Sequence, residues 1–170
     1  MMGLCFILAA NENAAHAQDS SSCACCTAPH RAFDFWLGEW EVRDSTGRLL
    51  GENNILSLER GCIISEAWRG AQGSTGRSYN YYNPRDSAWH QLWISSNGGI
   101  LELKGRASPG KMVMSSAIQQ TSRGEVVNRI TWKENPDGSV TQRWDVLNRE
   151  GFLLRTVFYG IYRKKSPGKR

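Results

Sequence analysis

The stretch Phe33-Asp34-Phe35-Trp36-Leu37-Gly38-Glu39-Trp40-Glu41-Val42 closes a short apolar turn with Gly-Glu-Trp and runs straight into an extended segment. Upstream of Gly38, the side chains of Phe33, Trp36 and Leu37 share one face of a helical turn near residues 30–37. Downstream the pattern changes to short extended runs separated by turn chemistry. Strands are expected near 39–45, 49–59, 62–70, 77–83, 88–95, 99–107, 111–119, 126–134, 139–147 and 152–163. The breaks between them carry Gly, Asn, Asp and Pro, as in Asn83-Pro84-Arg85-Asp86, Asn97-Gly98-Gly99, Pro109-Gly110 and Asn135-Pro136-Asp137-Gly138. Strands joined by such short turns pair antiparallel with their neighbours. About ten of them in meander order close most economically into a barrel, which removes exposed sheet edges. The expected fold is therefore all-β, a single antiparallel up-and-down β-barrel.

A chain of 170 residues suits one domain with one sizeable core, and 40% hydrophobic with 22% charged residues is globular composition. Residues 1–17 read as a signal peptide rather than as part of the fold. Gly3 to Ala10 is a brief apolar run, and Ala15-His16-Ala17 fits the small-x-small cleavage pattern. No Lys or Arg precedes the run, so either the start lies elsewhere or the α-amino group carries the leading charge. Periplasmic or secreted localisation follows from this reading. Removing residues 1–17 takes away Glu12 and no base, raising the net charge from +5 to +6. Most of that excess lies in Arg163, Lys164, Lys165, Lys169 and Arg170. A basic tail over 164–170 suggests weak contact with a membrane surface at most. Nucleic acid is excluded as a partner, because no folded face interleaves bases with aromatics.

Cys5 leaves with the leader, and Cys23, Cys25, Cys26 and Cys62 remain. Four cysteines in an oxidising compartment allow three pairings. A bond between adjacent Cys25 and Cys26 closes a strained ring, so a bridge from the Cys23–Cys26 cluster to Cys62 is preferred. It closes a loop of roughly 36–39 residues, worth about 3–4 kcal/mol in the chain-entropy account. The alternative is a soft-metal site built on the Cys-Ala-Cys-Cys thiolates, although no His stands at zinc-finger spacing. Residues 18–29 form a Cys-rich segment on either reading, and the barrel spans 30–163.

Seven Trp are many for this length, and six fall in the expected strands, where large rings suit a pleated surface. Several strands set a ring and a polar group on one face: Glu66 with Trp68, Asn80 with Tyr82, Gln91 with Trp89 and Trp93, Asn128 with Trp132, and Gln142 with Trp144. If these faces point inward, Glu66, Trp68, Asn80, Tyr82, Gln91, Trp93, Trp132, Gln142 and Trp144 line a cavity for an amphipathic ligand. If they point outward, the rings cover the outside and the amides meet water. Face assignment turns on a single bulge, so both readings stand. His90 is the one His in the strand region, and no Gly-x-Ser-x-Gly elbow accompanies it, which argues against a Ser-His-Asp hydrolase. Gly70-Ala-Gln-Gly73-Ser-Thr-Gly76 joins two strands without a following helix, so it reads as a flexible loop at the barrel mouth rather than a phosphate cradle. Glu66, Glu102, Arg69, Arg129, Arg143 and Arg155 sit mid-strand, either as working charges or as structural pairs.

These segments together resemble a bacterial family of exported lipocalin-like, calycin-type β-barrels. Phe33–Val42, Gly61-Cys62, Glu66–Gly70, Tyr79–Tyr82, Trp89–Trp93, Arg129–Trp132 and Asn135–Val140 carry the resemblance. It implies that a short N-terminal helix plugs one end of the barrel, with Phe33, Trp36, Gly38 and Trp40 forming the floor. It also implies that an Arg from the last strand, Arg155 or Arg163, stacks on Trp40. Nitrobindin-like haem barrels are more distant relatives that place their haem His late in the chain; no His follows His90 here, so no cofactor is implied. The functional expectation is a monomeric, non-catalytic binder of a small hydrophobic or amphipathic molecule. The alternatives are a structural or interaction module of the cell envelope, and a barrel isomerase or hydrolase using Glu66, Glu102 or His90.

Overall fold

The computed structural model describes residues 23–122 and 124–165. The expected leader at 1–17 and the last residues of the basic tail lie outside them. A four-residue helix α1 (Ala28–Arg31) and a 3₁₀ turn (Asp34–Trp36) precede eleven strands. In chain order these are β1 (Gly38–Arg43), β2 (Leu49–Leu58), β3 (Ile63–Gly70), β4 (Thr75–Asn83), β5 (Ala88–Ser95), β6 (Ile100–Ser108), β7 (Lys111–Ser115), β8 (Gln119–Thr121), β9 (Gly124–Glu134), β10 (Val140–Asn148) and β11 (Leu153–Lys164). All but β8 form a closed ten-strand antiparallel barrel in which β7 pairs with β9 and β11 returns to β1. The up-and-down barrel expected from the turn spacing is the fold.

The turn residues do what their chemistry requires. At the β9–β10 turn, Asp137 accepts the Ser139 amide and hydroxyl through Oδ1. Gly138 supplies the left-handed φ of +75° that a side chain would resist. The strand expected over 111–119 stops at Ser115. Ser116 Oγ accepts the Asn128 amide at 3.0 Å, so a side chain takes a ladder position and frees the chain to leave the barrel wall. Residues 119–121 then form β8, an extra strand outside the barrel that pairs only with the start of β9.

One end of the barrel is sealed by rings. Phe33 stacks on Trp36 at 5.0 Å and meets Trp132 and Trp89 edge-on at 5.2 and 5.6 Å. Trp36 packs on Trp132 at 5.4 Å, and its carbonyl accepts the Trp40 indole N–H at 2.8 Å. Phe33, Trp36, Trp40 and Trp132 have no solvent-exposed surface. Each buries roughly 200 Å², worth about 5 kcal/mol as an upper bound. The cation above Trp40 is Lys164, with Nζ 5.5 Å from the ring, and not Arg155 or Arg163. The register explains the correction, because Lys164 stands directly opposite Trp40 across the β1–β11 closure. Arg163, one residue earlier, points to the outer face and reaches Asp137. Arg155 lies on the exposed half of β11, opposite Val146.

The expected tail begins later than residue 164. Lys164 belongs to β11, and Lys165 is fastened through its amide to the Glu39 carbonyl and through Nζ to Glu52 at 2.7 Å. At the other terminus, Cys25 is bonded to Cys62 and Cys23 to Cys26. The bridge from the cluster to Cys62 thus falls on Cys25, and a second bond within the cluster accompanies it. Both bonds use the sulfurs that a soft-metal site would require. The Trp89 indole N–H, bonded to the Pro29 carbonyl at 3.1 Å, holds the same segment against β5.

The Cys25–Cys62 bond spans a sequence separation of 37 residues. Replacing both cysteines by Ser should lower unfolding free energy by about 4 kcal/mol. Urea denaturation of the oxidised protein and the double variant checks this; equal midpoints would contradict it.

Candidate functional site: an aromatic cup over a buried carboxylate

Above the sealed floor the barrel is hollow. A cavity of about 250 Å³ is lined by Glu66, Trp68, Ser74, Gln91, Trp93, Leu101, Ile130, Gln142, Trp144, Val157, Phe158 and Tyr162. The face question left open by the sequence is answered by burial. Glu66, Asn80, Gln91, Asn128 and Gln142 are all buried, and so lie inside the barrel. Of the nine residues expected to line a cavity, Glu66, Trp68, Gln91, Trp93, Gln142 and Trp144 do so. Asn80 sits beneath the lining and holds Gln91. Tyr82 packs on His30 and Trp89 at the sealed end, and Trp132 is consumed by the floor.

The base of the cup is a hydrogen-bonded layer centred on Glu66. Asn53 Nδ2 donates to Glu66 Oε1 at 2.7 Å, and Ser78 Oγ donates to Oε2 at 2.7 Å. Ser78 in turn accepts from Asn80 Nδ2 at 3.0 Å, and Asn80 Oδ1 accepts from Gln91 Nε2 at 2.7 Å. On the other side Asn53 Nδ2 also reaches the Tyr162 hydroxyl at 3.4 Å, which donates to Gln142 Oε1. The chain therefore crosses strands β5, β4, β3, β2, β11 and β10. Every side-chain hydrogen bond at the carboxyl is donated to it, which favours the ionised form. Burial works the other way and prevails, pushing the Glu66 carboxyl up to about 7. Burial, with Glu66 close by, also holds the Tyr162 phenol well above its usual value, so it stays neutral.

The walls of the cup are rings. Trp68 meets Phe158 edge-on at 5.9 Å. The Trp144 indole N–H donates to Asn128 Oδ1 at 2.8 Å, and Asn128 Nδ2 donates to Gln119 Oε1 at 2.9 Å. The extra strand β8 thereby positions a cup residue through Asn128. Three inward positions carry no side chain where these rings stand. A Cβ at Gly76 would lie 2.2 Å from Trp93, one at Gly51 2.4 Å from the Arg69 carbonyl and 2.8 Å from Trp68, and one at Gly160 2.7 Å from both Phe158 and Val42.

Other residues of interest fall elsewhere. His90 is on the outside, bonded to Asp86 at 2.9 Å and stacked on Tyr81, while Lys104 shares the same Asp86. Glu102, Arg69, Arg129 and Arg143 also face outward. The Gly70–Gly76 loop is tighter than the composition suggests: Gly70 N donates to Ser74 O, Gly73 N to Gly70 O, and Ala71 N to Leu50 O. It places Ser74 on the cup lining. Sequence reasoning missed Asn53, Ser78, Phe158 and Tyr162. Period-2 parity from Ile55 and from Gly160 would have placed Asn53 and Tyr162 inside. No protein-family model and no curated protein matches the chain.

Because the folded carboxyl titrates above the usual 4.5, the native state keeps a proton that the unfolded chain has lost between about 4.5 and about 7. Glu66 therefore contributes its full stability below that window, and the contribution falls as pH rises through it, by about 3 kcal/mol in all. The difference in urea stability between wild type and Glu66→Gln, measured from about pH 4 to pH 8, should trace this fall. A difference that stays constant across the range would show that Glu66 ionises normally.

Proposed function

We propose that the protein is a binding protein for a small amphipathic molecule, held in the cup with its apolar body between the rings and its polar end on the Glu66 layer. The carrying observation is that the hollow combines apolar walls with convergent polar groups at one end, which is the general composition of ligand sites. At about 250 Å³ the space is below the drug-sized range, so the occupant is small. Binding without catalysis is the reading favoured. Of the titratable side chains weighed as catalysts, Glu66 alone reaches the cup, and general acid–base chemistry at a bound molecule calls for groups within hydrogen-bond reach of it.

The proposal extends to location and family. Two disulfides are consistent with an oxidising compartment, and with the leader-like residues 1–17 they support export to the periplasm or beyond. Among the described residues no helix is long and apolar enough to cross a membrane. The closed barrel with its N-terminal plug supports the resemblance to exported lipocalin-like proteins, acting as a monomer.

Protein purified from its native host, extracted into organic solvent and examined by mass spectrometry, should release a stoichiometric small molecule. Gly76→Ala, which drives Trp93 toward the cavity, should fold with an unchanged far-ultraviolet spectrum and lose most of that occupant. Wild-type protein that releases nothing, and takes up no small aromatic probe in titration, would overturn the proposal.

A further inference from the structure

We infer that the cup selects organic cations: its ligand carries a protonated amine that sits against Glu66 beneath Trp68, Trp93, Trp144 and Phe158. This rests on the binding reading above and names the chemical class of the occupant. The lining contains one carboxyl group and, among the described residues, no Lys, Arg or His. A carboxylate-bearing ligand such as a fatty acid would therefore bring a second negative group to Glu66 with no cation to receive it. A neutral ligand would leave Glu66 either as a protonated acid or as a buried charge without a counter-ion. An ammonium group supplies the missing positive charge, and a lining that includes Trp68, Trp93, Trp144 and Phe158 suits a cation through ring quadrupoles.

The hydrogen-bond layer is built for the same state. Asn53 and Ser78 both donate to Glu66, and Asn80 and Gln91 are oriented to keep Ser78 donating in that direction. Each carboxylate oxygen can accept further bonds, so an ammonium can donate without displacing these partners. The groups facing Glu66 from neighbouring strands are Asn53 of β2, Ser78 and Asn80 of β4, Gln91 of β5, Gln142 of β10 and Tyr162 of β11. Tyr162 is the one titratable group among them, and it stays neutral. A cation held there favours the ionised carboxylate, so binding expels the proton that the empty cup retains below about pH 7. Amine affinity therefore rises with pH through that region and levels off above it.

Calorimetric titration of the full, oxidised protein with three probes of one size tests the inference: 2-phenylethylamine, neutral 2-phenylethanol and anionic phenylacetate. Near pH 8 the amine should bind at least about tenfold more tightly than the alcohol, with phenylacetate weakest. Its advantage should shrink as pH falls toward about 5. In Glu66→Gln the amine should lose its advantage over the alcohol, an unchanged far-ultraviolet spectrum showing that the variant is folded; an advantage kept in the folded variant would overturn the inference. If the alcohol or phenylacetate matches the amine in wild type, the cation assignment is overturned while the cup remains a binding site. If none of the three binds, the cation assignment is overturned as well, and the extraction experiment decides separately whether the cup holds any molecule.

Discussion

The sealed aromatic end governs the rest of this molecule. Phe33 on Trp36, Trp36 on Trp132, and the Trp40 indole bonded to the Trp36 carbonyl close the barrel below the Glu66 layer. A barrel open at both ends would let water reach that layer from beneath, and Glu66 would ionise like a surface acid. With the floor closed, the carboxyl is reached through the ring-lined cavity and is desolvated enough to titrate near neutrality. The disulfide to Cys62, the Trp89 bond to Pro29 and the Lys164 cation over Trp40 all fasten this same end.

A buried carboxyl with its polar layer lowers stability relative to an apolar filling. A leucine or methionine at position 66 would pack against Ile55 and Ile64 without the penalty of a buried acid, and the Asn53, Ser78 and Asn80 positions would then have no reason to be polar. Instead several strands contribute neutral donors and acceptors to one carboxyl. Polar groups of this kind cost stability that an apolar filling of the same positions would not. The opposite end of the chain of bonds is also satisfied, by Tyr162 donating to Gln142, so the layer is continuous across the barrel interior.

The fold was legible because turns and alternation are local. Asn135-Pro136-Asp137-Gly138, Asn97-Gly98-Gly99 and their counterparts mark the hairpins, and ten strands in meander order leave few topologies. The seventh strand was misjudged in length because Ser116 imitates a ladder partner with its side chain, which no periodicity reveals. The cation on Trp40 was misplaced because it depends on the register between the first and last strands, set by the closure of the whole barrel. For the site, parity grouped Glu66 with Trp68 and Gln142 with Trp144 but could not choose inside from outside. That choice depends on packing summed over all ten strands. Tyr162 escaped notice since it lies 96 residues from Glu66 in sequence and meets it only through Asn53.

Whether the barrel is hollow by design or merely underfilled turns on its inward glycines. Gly51, Gly76 and Gly160 each stand where a Cβ would collide with Trp68, Trp93 or Phe158. A barrel filled by its own side chains would use branched aliphatics at such positions, and those would push the rings to the centre. Without a Cβ at these positions each ring can stand close to the wall, which leaves the middle open. Glycine in a strand interior costs about 0.5–1 kcal/mol relative to alanine, a cost carried here at three positions that abut cavity-lining rings. The rings that these glycines accommodate share the cavity with Glu66, so open space and a polar end occur in one place.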